Sequence, residues 1–163
     1  MSANSCQEGI DPALREMNIR SILVPVDFSA TSEKALQYAV PIASRFCAQI
    51  TLLFVSQVQF YANEFAHLKV EESGISEAAM QGLQSIASRC IPPSLLGELL
   101  VRSGVAFDEI AKAAAELNAD LIIVNTHGFK GLKHVLAGSK AELIIRYAPC
   151  PVLVVREHEH EFV

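Results

Sequence analysis

With 163 residues, 51% hydrophobic and 19% charged, the chain is long enough for one domain with a sizeable core and is globular in composition. A net charge of −5 argues against the basic face that nucleic-acid binding needs, so a bound anion would have to be held by local N–H groups. Cys6, Cys47, Cys90 and Cys150 stand far apart, with no C-x-x-C pair and no metal spacing, and read as free thiols in a reducing compartment.

Residues 1–18 form a polar, irregular leader without the basic n-region or apolar core of a signal peptide. No apolar run approaches the ~20 residues of a membrane span. The expectation is a cytoplasmic protein with no membrane partner. Ile19–Val26 (IRSILVPV) is a near-continuous apolar run, as expected of a parallel strand buried on both faces. Ser29 is the candidate N-cap of a first helix, whose stripe of Ala35, Leu36, Ala39, Val40, Ala43 and Phe46 has helical spacing. Pro41 inside that stripe predicts a kink or an irregular turn near Tyr38.

Gln49–Val55 (QITLLFV) is the second predicted strand. A loop over Ser56–Lys69 leads to a second helix, marked by Ile75, Ala79, Leu83, Ile86 and Cys90 and ended by Pro92-Pro93. The third strand runs Leu95–Arg102, and the third helix Phe107–Leu117, with Ile110, Ala111, Ala114 and Leu117 inward. Leu121–Asn125 is the fourth strand, Ser139–Tyr147 the fourth helix and Val152–Arg156 the fifth strand. Residues 19–156 thus make one domain, and the acidic, His-rich 157–163 reads as a solvated tail. Strands alternating with helices predict parallel pairing with right-handed crossovers, hence an α/β fold: a single doubly wound parallel sheet of five strands.

In such a sheet ligands bind beyond the carboxyl ends of the strands, where the strand order reverses. With order 3-2-1-4-5, the two loops facing that crevice are Pro25–Ser29 and Val124–Ser139. The second carries Gly128, Gly131 and Gly138 and runs into a helix at Ser139-Lys140. Glycines admit close backbone approach, and a helix N-terminus offers unpaired N–H groups and a positive dipole end, which together suit a phosphate. Plainer readings stand beside this one. The glycines also suit turns and caps. Ser139 with Glu142 is a capping box that explains itself without a ligand. Asp27 reads equally as a helix-capping acid or a ligand contact. His134, Lys130 and Lys133 read as loop surface, and two tail histidines, His158 and His160, do not make a metal site. Walker, Rossmann, nucleophile-elbow and thioredoxin signatures are missing from the sequence, and no acid–base pair suggests itself. The chain reads as a binder before a catalyst.

Four stretches taken together resemble the universal stress protein family over about residues 19–156: ILVPVDFS at 22–29, ADLIIV at 119–124, the loop from Thr126-His127-Gly128 to Gly138-Ser139, and APCPVLVV at 148–155. The resemblance implies a five-stranded parallel sheet of order 3-2-1-4-5 with helices on both faces. The ATP-binding branch of that family carries Gly-x-x-Gly, nine residues, then Gly-Ser or Gly-Thr. Here Gly128, nine residues and Gly138-Ser139 match, and Asn125 replaces the first glycine. Asparagine tolerates unusual backbone angles, yet adds bulk where ribose or phosphate approaches.

By this resemblance Pro25, Val26 and Asp27 would face adenine or ribose, and Val55, with Phe54, would wall the adenine pocket. Thr126, His127, Gly128, Gly138, Ser139 and Lys140 would supply phosphate contacts, and Val124, Asn125 and Gly131 belong to the same loop. The implied ligand is ATP or AMP, with or without magnesium. The apolar edge Val152–Val155 implies a homodimer, since a bare edge invites pairing. The implied role is a nucleotide-binding stress-response or signalling module. The alternative is a nucleotide-free dimeric interaction scaffold of the same fold, for which Asn125 speaks. Slow ATP hydrolysis or self-phosphorylation at Ser139 ranks last.

Overall fold

The computed structural model describes residues 18–29, 32–56, 72–125 and 140–156, with backbone alone for 72–75 and 140. In chain order these hold β1 (Ser21–Pro25), α1 (Lys34–Phe46), β2 (Gln49–Ser56), α2 (Glu72–Cys90), a 3-10 turn (Pro93–Leu95), β3 (Leu96–Ser103), α3 (Ala106–Glu116), β4 (Leu121–Asn125), α4 (Lys140–Tyr147) and β5 (Val152–Val155). The strands form one five-stranded sheet of order β3-β2-β1-β4-β5, and every pairing is parallel. This is the doubly wound α/β architecture that the alternating pattern predicts.

The apolar run of the first strand goes to both faces. Ile22, Val24 and Val26 pack with α1 and α2, whereas Leu23 joins Leu53, Ile122 and Val124 under α3 and α4. Ile22, Leu23 and Val24 are all 0% exposed, which is why this strand lacks the apolar/polar alternation of a half-exposed one. Ala35, Ala39 and Ala43, on one stripe of α1, are small enough to bring that helix close to the sheet. On α3, Ile110 and Ala114 are buried as expected and Ala113 joins them, while Ala111 and Leu117 are half-buried.

Several expectations are corrected. Ser29 is not the N-cap of α1. The helix starts at Lys34, with Glu33 at the cap position and no side-chain capping bond. The chain spends the interval on a turn in which the Ser32 N–H donates to the Ser29 carbonyl at 3.0 Å. α1 continues as one helix through Pro41, so the irregular turn near Tyr38 does not form. Pro41 and Gln37, one turn apart, are both exposed, so the carbonyl that loses its N–H partner lies on the solvent side. Leu95 belongs to the 3-10 turn rather than to β3, and Arg156 lies beyond β5. The predicted loop 56–69 falls, after Ser56, outside the described residues, as do the leader up to residue 17 and the tail 157–163.

Leu52, 0% exposed on β2, sits in the larger core. Leu52→Ala is expected to lower the unfolding free energy by about 2–5 kcal/mol in a urea titration, from lost transfer energy and the cavity left behind.

Candidate functional site

The order of the sheet reverses between β1 and β4. The chain leaves β1 toward β2 on one side and reaches β4 on the other, so the connections that follow β1 and β4 diverge to opposite faces. Leu23 pairs with Ile122, so two residues further along each strand stand Pro25 and Val124, side by side at the carboxyl edge. Pro25 is the last residue of β1, and Val26 extends its ladder by donating its N–H to the Leu53 carbonyl at 2.9 Å. Val55 is the next-to-last residue of β2, packed on the α3/α4 side, and Phe54 packs on the α1/α2 side. Asn125 ends β4, is 4% exposed and pairs along the strand with Val155. Strand alternation gives it the same face as Ile123.

Six of the residues singled out from the sequence, Pro25, Val26, Asp27, Val55, Val124 and Asn125, are thus brought to one edge of the sheet. Thr126, His127, Gly128, Gly131, Gly138 and Ser139 lie outside the described residues. Lys140 opens α4.

Asp27 has a definite local task. Its Oδ1 accepts from the Ser29 N–H at 3.0 Å and from the Ser29 hydroxyl at 2.5 Å, and the Ser29 hydroxyl oxygen in turn accepts from the Ser32 N–H at 3.2 Å. The carboxylate therefore closes a turn; it does not cap α1 as one reading has it. Its Oδ2 takes no hydrogen bond among the described residues and sits at a half-buried position on the crevice edge.

The turn depends on Phe28, which the sequence reading passes over. Phe28 has φ 61°, a left-handed conformation that costs a non-glycine residue roughly 1–2 kcal/mol. Its ring lies 4.6 Å from the Phe54 ring, with 32° between the planes. It also lies against Gly82 of α2, where a Cβ would come within 2.6 Å of the Phe28 Cε1. A glycine inside a helix costs ~1 kcal/mol relative to alanine, and here it gives the ring its place. Nothing in the local sequence marks this contact, because its members are 26 and 54 residues apart from Phe28.

Away from the crevice, burial and the negative charge of Asp120 raise the Cys150 thiol pKa, so this thiol stays protonated at neutral pH. Cys47, Cys90 and Cys150 are free. Among the described residues no cluster of His, Cys, Asp and Glu could hold a metal ion, and no helix is long and apolar enough to cross a membrane.

A sequence model of the universal stress protein family matches residues 18–156. The chain belongs to the universal stress protein family. Among curated relatives, a putative universal stress protein of Staphylococcus haemolyticus is 32% identical over 146 residues, 88% of each chain. Among solved structures, the universal stress protein UspA of Lactobacillus plantarum is 27% identical, with a TM-score of 0.68, over 86% of this chain and all of its own. Two more distant universal stress proteins share the fold. One, solved in complex with cAMP, is 20% identical with a TM-score of 0.64 over 86% of this chain and 98% of its own. The other, from Archaeoglobus fulgidus in complex with dAMP, is 22% identical with a TM-score of 0.54 over 85% of this chain and 98% of its own.

Ser29→Ala removes both the hydroxyl donor to Asp27 and the acceptor for the Ser32 N–H. It is expected to cost about 1–2 kcal/mol of stability, measured by urea unfolding, at about 1 kcal/mol per hydrogen bond.

Proposed function

We propose that this protein is a cytoplasmic universal stress protein that binds ATP or AMP in the crevice between β1 and β4 and acts as a stress-response or signalling module. The observation that carries the reading is the convergence of Asp27, Val26 and Asn125 at the reversal point of the sheet, with α4 next in sequence after the Gly128 to Gly138-Ser139 motif. In this reading Asp27 Oδ2 accepts hydrogen bonds from the ribose hydroxyls. Val26 and Val55 supply apolar contact to the base. The N–H groups at the start of α4 receive phosphate, aided by the positive end of the helix dipole. Magnesium would accompany the phosphates of ATP. The cAMP and dAMP held by two family members support an adenine nucleotide as the ligand class.

The β5 edge supports a homodimer. Val152, Leu153 and Val154 are half-buried apolar residues, and among the described residues β5 has a sheet neighbour on one side only. Pairing with a second copy would cover its unpaired backbone groups. A second reading, a nucleotide-free dimeric scaffold of the same fold, is favoured by Asn125, which puts a side chain at the first glycine position of the nucleotide loop.

Isothermal calorimetry with ATP, ADP and AMP, with and without magnesium, separates the two. The expected result is binding by the wild type, tighter binding by Asn125→Gly, and none by Gly138→Val. If neither the wild type nor Asn125→Gly binds any of the three, the nucleotide reading falls and the scaffold stands.

A further inference from the structure

We propose that Phe28 is a positioning residue, whose ring, packed against Phe54 and Gly82, holds the Asp27 carboxylate in its turn at the crevice edge. The inference rests on the nucleotide reading for its purpose, but its geometry is independent of any ligand. Asp27 Oδ1 receives the Ser29 N–H and hydroxyl across a turn whose middle residue, Phe28, has φ 61°. A phenylalanine left to itself would relax to negative φ and carry Ser29 away.

What opposes that relaxation is the ring. Its centroid lies 4.6 Å from that of Phe54, on the strand that ends beside the crevice. At Gly82 there is no room for even a methyl group, which would stand 2.6 Å from Cε1. The ring is still 39% exposed, so its role is not simply to fill the core. Through this clamp the position of α2 against β2 is transmitted to one carboxylate at the reversal point. That carboxylate has Oδ1 committed to the turn, while Oδ2 takes no hydrogen bond among the described residues. Preorganisation of this kind favours binding by sparing the ligand the cost of ordering its acceptor.

The experiment is calorimetry with AMP and ATP on four variants and one double variant. Glycine adopts left-handed φ freely, so Phe28→Gly permits the turn but does not enforce it. It is expected to weaken AMP and ATP alike by about tenfold, leaving their ratio unchanged, because the disturbed contact is to the nucleoside. Gly82→Ala is expected to displace the ring and weaken both nucleotides several-fold, although position 82 gains helix propensity. Phe28→Leu, which refills the clamp with apolar atoms, is expected to bind more tightly than Phe28→Gly. Asp27→Asn is expected to cost much less in the Phe28→Gly background than in the wild type.

Wild-type affinity in both Phe28→Gly and Gly82→Ala, or an equal cost of Asp27→Asn in the two backgrounds, overturns the proposal. If the wild type binds neither nucleotide, the nucleotide reading fails separately. The Ser29 amide proton resonance then decides the positioning. A shift in Phe28→Gly matching that in Asp27→Ala supports it, and an unmoved resonance overturns it.

Discussion

β1 is hydrogen-bonded in parallel on both sides, to β2 from Ser21↔Gln49 to Pro25↔Leu53 and to β4 at Ile22↔Leu121 and Leu23↔Ile122. Parallel neighbours need crossovers, and crossovers from right-twisted strands are right-handed. A chain that winds outward from β1 to β2 and β3, then returns to β4 and β5, must therefore put its first two helices on one face and its last two on the other. The two separate cores are the packing consequence: Ile22, Val24 and Val26 against α1 and α2, Leu23 and Ile122 against α3 and α4. The crevice is the topological consequence, because the connections after β1 and β4 turn away from each other.

The opposite edge of the sheet shows how firmly β1 and β4 are held together. Asp120 Oδ2 accepts from the Arg20 N–H at 2.7 Å and the Ser21 N–H at 3.0 Å, and the Asp120 N–H donates to the Ser21 carbonyl at 2.9 Å. Hydrogen bonds to a charged acceptor are among the stronger ones. The clamp sets the register before the strands reach their carboxyl ends, so the placement of Pro25 beside Val124 is inherited from residues on the far side of the molecule. At the crevice side, order comes instead from a strained turn. Phe28 in a left-handed conformation, Asp27 bonded to Ser29, and a ring seated on Phe54 and Gly82 are mutually dependent. Backbone strain of this sort persists only when surrounding packing over-determines it.

Asn125 is the polar exception in an apolar strand. Ile122, Ile123 and Val124 before it are at most 1% exposed, and Asn125 itself is 4% exposed. An amide this deeply placed is costly unless its hydrogen bonds are made. The same residue stands where the nucleotide-binding branch of the family carries its first loop glycine. One position thus belongs both to the interior of the sheet and to its carboxyl edge.

How far local pattern reaches is clear from particular residues. Ile22–Val26 announces a doubly buried strand because burial on two faces leaves no polar alternation, and alternation of strands with helical stripes is enough for the parallel, doubly wound sheet. The position of Asp27 and Asn125 at the carboxyl edge is legible for the same reason: each directly ends an apolar run. Helix limits were less legible. The start of α1 moves from Ser29 to Lys34 because Ser29 spends both its hydroxyl and its carbonyl on the turn to Ser32, which spacing does not reveal. The partnership of Phe28 with Phe54 and Gly82 had no local mark at all. It joins a loop, a strand end and a helix interior, and only folding, by setting α2 against β2, decides that a glycine there makes room for a ring. Composition and periodicity determined the architecture and the edge on which the candidate site lies, since both follow from which residues avoid water. The pose of the carboxylate at that edge was decided by tertiary structure, since it depends on contacts between residues far apart in the chain.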